Sequence, residues 1–175
     1  RPGDSQAHWR LRLRPSPACD HRGVTDDDTS SHVDRDSAGP AGTAYDWYHR
    51  AMALLAEGNP DAAAQLLFRV REEEPTSTSV LEALARALFD AHHYGEAAEA
   101  FGELAEARPS DDYAHYGLGM SLWRLQKFPD ARDHLAMAFA MRPQDEAYGS
   151  ALSQVKATIR ARSLGGLPLE GPIST

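Results

Sequence analysis

Eight histidines and a single cysteine are the side chains of this 175-residue chain best suited to holding a metal ion. Cys19 stands two residues from His21, and His92 is adjacent to His93. The spacing argues against a site. Neighbouring side chains on a turn point apart, no two histidines are four residues apart as on the helix of a zinc site, and Cys19 has no second cysteine to complete a tetrahedral set. His92 and His93 are therefore expected to be exposed turn residues. Asp26, Asp27, Asp28, Asp34 and Asp36 offer hard oxygen ligands. No glycine occupies the turn position of a calcium loop and no glutamate closes it, so a solvated acidic tail is expected instead. Nor does any glycine-rich loop open a helix after a strand; there is no nucleophile elbow, and no carboxylate pair whose spacing would bring it together. No catalytic residue, metal or cofactor is assigned, and the chain is read as a non-enzyme.

The net charge of −8 argues against a general nucleic-acid binder, which needs a concentrated basic surface to displace counterions from phosphates. No apolar run approaches the roughly 18 residues of a membrane helix. With Cys19 alone there is no internal disulfide, and a reducing cytoplasm is the expected compartment. Hydrophobic residues make up 42% of the chain, enough for a core in part of it. Residues 1–43 have only scattered apolar residues among Pro, Gly, Ser and Asp, and cannot bury enough surface to offset their ordering entropy. A disordered tail is expected there. Within it an arginine-rich block over 1–23 gives way at Val24 to an acidic one. The expectation is that translation starts at Val24 and that the preceding block is not native.

The remainder repeats itself. YGEAAEAFGELAEARPSD, from Tyr94 to Asp111, returns as FPDARDHLAMAFAMRPQD from Phe128 and is preceded by PDAAAQLLFRVREEEPTS from Pro60. Pro75, Pro109 and Pro143 fix the period at 34 residues. In each unit a small residue stands twelve positions before an alanine: Ala51 with Ala63, Ala85 with Ala97, Gly119 with Ala131. Small pairs let two antiparallel helices approach closely. Four residues beyond each alanine comes a large knob on the same helical face, Leu67, Phe101 or Leu135. Leu54, Val70, Leu84, Leu88, Leu104, Leu118 and Leu122 are further inward positions. Each proline ends a second helix. Asn59 before Pro60, Pro129, and Ser79 with Glu82 read as helix starts. After Pro143, a helix capped by Asp145 carries Tyr148, Leu152, Val155 and Ile159 on one face and Gln154, Lys156, Arg160 and Arg162 on the other.

With this period and these residues the chain resembles the tetratricopeptide-repeat family over about residues 44–162. The resemblance implies an all-α, right-handed superhelical solenoid of three helix-turn-helix repeats, at 44–77, 78–111 and 112–145. A solvent-capping helix follows over 146–162, then a disordered end over 163–175. The first unit is the least regular, with Arg50 where the family usually has leucine. The resemblance further implies a concave surface lined by first helices. Its faces not used for packing carry Tyr45, Tyr48, His49, Met52 and Leu55, then Glu82, Arg86 and Phe89, then Tyr113, Tyr116, Met120 and Trp123. Tyrosines with an apolar body and a polar tip favour partner binding there, while Phe89 and Trp123 could equally complete the core. Some family members clamp the carboxylate end of chaperone tails with lysine, asparagine and arginine. The corresponding slots here hold Tyr48, Met52, Ala83, Tyr113 and Gly117, so that clamp is absent. The expected function is a protein-interaction scaffold that takes an extended peptide or partner helix in an aromatic groove. Self-association as a homo-oligomer is the main rival, and an accessory subunit of an enzyme complex the next; neither a nucleic acid nor a membrane is an expected partner.

Overall fold

The computed structural model describes residues 42–172. Seven helices follow one another: α1 (Ala44–Glu57), α2 (Pro60–Glu73), α3 (Thr78–Asp90), α4 (Tyr94–Ala107), α5 (Asp112–Arg124), α6 (Phe128–Met141) and α7 (Glu146–Leu164). No β-strand occurs among the described residues. The expected tail and the expected start at Val24 lie outside them, except that Gly42 and Thr43 lead into α1.

The caps follow local chemistry. Thr43 and Asp46 form a reciprocal capping box at the start of α1. Asp111 and Asp145 accept backbone hydrogen bonds at the starts of α5 and α7. Two expectations are corrected. Asn59 makes no side-chain cap, so Pro60 at the first turn sets the start of α2. Ser77, not Ser79, caps α3 by accepting from the Val80 amide, because the helix begins two residues earlier than the Ser79 and Glu82 spacing suggested. Each second helix stops where the residue before proline is pushed out of helical geometry: Glu74, Arg108 and Arg142 have ψ of 66, 76 and 74°.

The small pairs sit where helices meet. Ala51, Ala63, Ala85, Ala97 and Ala131 are fully buried, as are the knobs Leu67, Phe101 and Leu135. Gly119 has no room for a side chain, since an added Cβ would come within 2.7 Å of Leu135 Cγ. Leu54 is only half-buried, consistent with the irregular first unit; α1 buries just Ala51 and Leu55, whereas α3 buries eight residues. The turns inside the three units share one device: Gly58, His92 and Gln126, each 34 residues from the next, all adopt left-handed φ of 82, 66 and 61°. Only the first is a glycine, the residue that takes this conformation without steric cost.

The structure does not leave residues 165–172 free, contrary to the expected disordered end. Arg162 turns inward and is buried, its Nε donating to the Pro168 carbonyl at 2.5 Å and its Nη2 to that of Gly171 at 2.7 Å. Its guanidinium lies over the Phe128 ring, 5.0 Å from the centroid. The Gly171 amide donates to the Gln126 carbonyl, and Lys127 pairs with Glu170 in an isolated bridge. One arginine thereby straps the chain after α7 onto the turn between α5 and α6.

Candidate functional site

First helices of successive units touch one another, α1 with α3, α3 with α5, and α5 with α7. The 34-residue period therefore arranges their outward residues in columns: Tyr48, Glu82 and Tyr116 in one, Met52, Arg86 and Met120 in the next, Leu55, Phe89 and Trp123 in a third.

At the N-terminal end the first two of these columns are open, while the third begins at the buried Leu55. Tyr48 is half-buried; its burial, and then the nearby Glu82 carboxylate, raise its phenol pKa. Tyr45 is exposed and packs its ring on His49 with centroids 4.2 Å apart, while His49 meets the Tyr48 ring edge-on at 6.0 Å. Met52 is half-exposed. Glu82 takes a hydrogen bond of 2.8 Å from Arg108, which also reaches Asp111 at 3.0 Å. Arg86 lies 3.7 Å from Asp90 along the same helix, and its shielded Nε has no hydrogen-bond acceptor.

Towards the C-terminal end the same columns are closed. Leu55, Phe89 and Met120, placed on the groove from the sequence, are buried at 8%, 7% and 4% exposure and belong to the core. Phe89 follows Leu55 in its column and packs edge-on against Tyr94, centroids 5.4 Å apart. Tyr113 leans on the edge of Phe101, and Trp123 is half-buried. Tyr116 was expected to lie outside the packing. It instead stacks on Tyr148 of α7, centroids 4.6 Å apart, and burial, with the Asp145 charge as a lesser cause, pushes its phenol pKa to about 12. The Tyr148 hydroxyl donates to Asp112 at 2.7 Å, and Arg142 pairs with the other oxygen of Asp112 at 2.9 Å. The capping helix thus covers the third unit's share of the column.

Two of the five clamp slots could not hold a clamp residue without repacking. Ala83 is buried, and a Cβ on Gly117 would come within 2.4 Å of the Phe101 ring. Among the described residues no group of three or more His, Cys, Asp or Glu side chains is placed to hold a metal, and no helix is long and apolar enough to cross a membrane. A second concavity, between α2 and α4, was missed from the sequence; Phe68, 43% exposed on α2 and outside the packing stripe, was the signal for it.

Sequence models of the tetratricopeptide repeat match residues 46–87 and 82–146. No curated protein matches the chain by sequence. Solved structures share the fold. The chain is similar to the Sgt2 repeat domain from Aspergillus fumigatus at 17% identity and a TM-score of 0.65, over 79% of this chain and 93% of that one. It is similar to the first repeat domain of Spaghetti (RPAP3), solved bound to the HSP90 peptide SRMEEVD, at 15% identity and a TM-score of 0.63, over 67% and 93%. It is also similar to MamA, residues 41 to the end, from Desulfovibrio magneticus RS-1 at 18% identity and a TM-score of 0.64, over 66% of each chain.

Proposed function

The chain belongs to the tetratricopeptide-repeat family, and from that premise we propose that it is a non-enzymatic protein-interaction module. The N-terminal part of its first-helix face, around Tyr48, Met52, Glu82 and Arg86, takes an extended peptide or partner helix. One observation carries the reading: these side chains form adjoining columns on touching helices, with the half-open Tyr48, Met52 and Glu82 beside a more shielded Arg86 whose Nε has no acceptor. Such a surface suits a segment that offers one apolar side chain for Tyr48 and a backbone or carboxylate oxygen for Arg86. A chain of the same fold holds the seven-residue HSP90 peptide, so the architecture can take an extended segment. The occupied clamp slots Ala83 and Gly117 direct this chain away from the clamped C-terminal carboxylate of such tails.

The test is a selection of peptides on the immobilised full chain, followed by binding isotherms. A selected peptide is expected to bind Tyr48→Ala and Arg86→Ala each at least about fivefold more weakly, with melting temperatures within a few degrees of the parent. Unaltered affinity in both folded variants would contradict the reading.

A further inference from the structure

The cleft between α2 and α4 has a volume of about 410 Å³ and is independent of the first-helix face. Leu84 and Leu88 of α3 and Ala100 of α4 give it an apolar floor, and Phe68 of α2 stands half in solvent at its edge. Its rim is carboxylate: Glu72 on α2 and Glu96, Glu99 and Glu103 on α4. Arg71 is the one cation lining it and is already committed to Glu103 through both carboxylate oxygens, at 2.5 and 2.6 Å. Glu96 reaches only the His93 ring, at 3.9 Å, while Glu72 and Glu99 make no ion pair among the described residues.

Two comparisons within the chain suggest that this acidity is more than an ordinary solvated helix face. α4 carries Glu96, Glu99, Glu103 and Glu106 at spacings of three, four and three and contains no lysine or arginine. Like charges at these spacings weaken a helix. The next unit's α6 has Asp130 and Asp133 at the first two of these positions, with Asp133 held by Arg132, and Met137 at the third. The corresponding cleft also differs. Where Ala100 leaves space, the register places His134, whose ring stacks on His115 at 5.5 Å with nitrogens 3.2 Å apart, and where Phe68 stands it places Gly102. The open, apolar-floored, acid-rimmed cleft of the first junction thus has Gly102, His134 and Met137 in place of Phe68, Ala100 and Glu103 at the second.

We infer that this cleft docks a basic segment of a partner protein, one that alternates arginine or lysine with apolar residues. Such a side chain lays its aliphatic stem on Leu84, Leu88 and Phe68 and brings its cation to Glu72 and Glu99, with the Phe68 ring as a further cation contact. An acidic or neutral segment would leave those carboxylates unpaired beside an apolar floor.

The experiment is fluorescence anisotropy on the full chain with a short dye-labelled peptide alternating arginine with leucine, at low and at physiological salt, beside the glutamate–leucine counterpart. The arginine peptide is expected to bind, to weaken with salt, and to bind at least about fivefold more weakly to Phe68→Ala and to the double variant Glu72→Gln, Glu99→Gln. The glutamate peptide should not bind, and Tyr48→Ala should bind the arginine peptide like the parent, which separates this site from the first-helix face. No binding by the parent, equal binding by the double variant, or equal binding of both peptides would overturn the inference. Sedimentation velocity on the same variants completes the test. If the cleft substitutions abolish self-association of the chain instead of peptide binding, its occupant is a second copy, and the inference is likewise overturned.

Discussion

Tyr48 and Tyr116 stand two periods apart in equivalent places, yet Tyr48 lies on an open face and Tyr116 is stacked beneath the capping helix. Ala100 and His134 form a second such pair, the alanine leaving a cleft that the imidazole fills. Gly58 and Gln126 form a third, a relaxed turn and a strained one. In all three pairs the N-terminal unit is left open or relaxed and the C-terminal unit is filled in, strapped or strained. A repeat register fixes where a side chain sits along the array; what covers it is decided by the neighbour, which the register does not contain.

The largest expected effect comes from the covered tyrosine. Tyr116→Ala should destabilise the fold by about 2 kcal/mol, because it removes a half-buried ring and its stack on Tyr148. Tyr48→Ala should cost less than about 1 kcal/mol, as it lies on an open face. Tyr148→Ala should not add fully to Tyr116→Ala, since the two rings share one contact. Equal melting temperatures for the two single tyrosine variants would erase the contrast.

A pH dependence separates the second pair. Burial, with the His115 ring next in weight, lowers the His134 pKa, against a weaker upward pull from Asp130 and Asp133. The folded chain therefore binds fewer protons at this site than the unfolded chain does. The resulting stability is fully present above the unfolded value of about 6.5 and is lost as pH falls from there through the lowered folded value. Denaturant midpoints measured downwards from pH 8 should show that slope, and His134→Gln should flatten it. An unchanged slope would mean that the filled junction does not hold its imidazole neutral.

The smallest effect concerns the turns. Gln126→Gly should stabilise by about 0.5 to 1 kcal/mol by relieving left-handed strain, partly offset by the greater freedom glycine gives the unfolded chain. The side chain of Gln126 is not needed for the strap, which uses its carbonyl. A loss of stability would show that the C-terminal turn is not strained.

Much of this architecture was legible in the chain itself. The prolines, the small pairs and the knobs each have a physical reason to recur every 34 residues, and they appear where that reasoning puts them. Less was legible where an outcome depends on how elements dock. Leu55, Phe89 and Met120 stand on the faces that the family resemblance assigns to the groove, yet the structure buries them, Phe89 edge-on against Tyr94 of α4. The stack of Tyr116 on Tyr148 depends on the angle at which α7 lies, and the inward turn of Arg162 depends on carbonyls of a segment whose composition suggests a loose end. The spacing of Ser79 to Glu82 pointed to the wrong serine, because the backbone starts the helix two residues earlier and makes Ser77 the cap.

The central claim is that the open, N-terminal share of the first-helix face binds a partner segment. It is tested most directly by titrating a selected peptide against Tyr48→Ala and the parent chain side by side, with melts of both. The account predicts a loss of more than about 1 kcal/mol in binding with the fold intact. Full-strength binding by the folded Tyr48→Ala chain would contradict it.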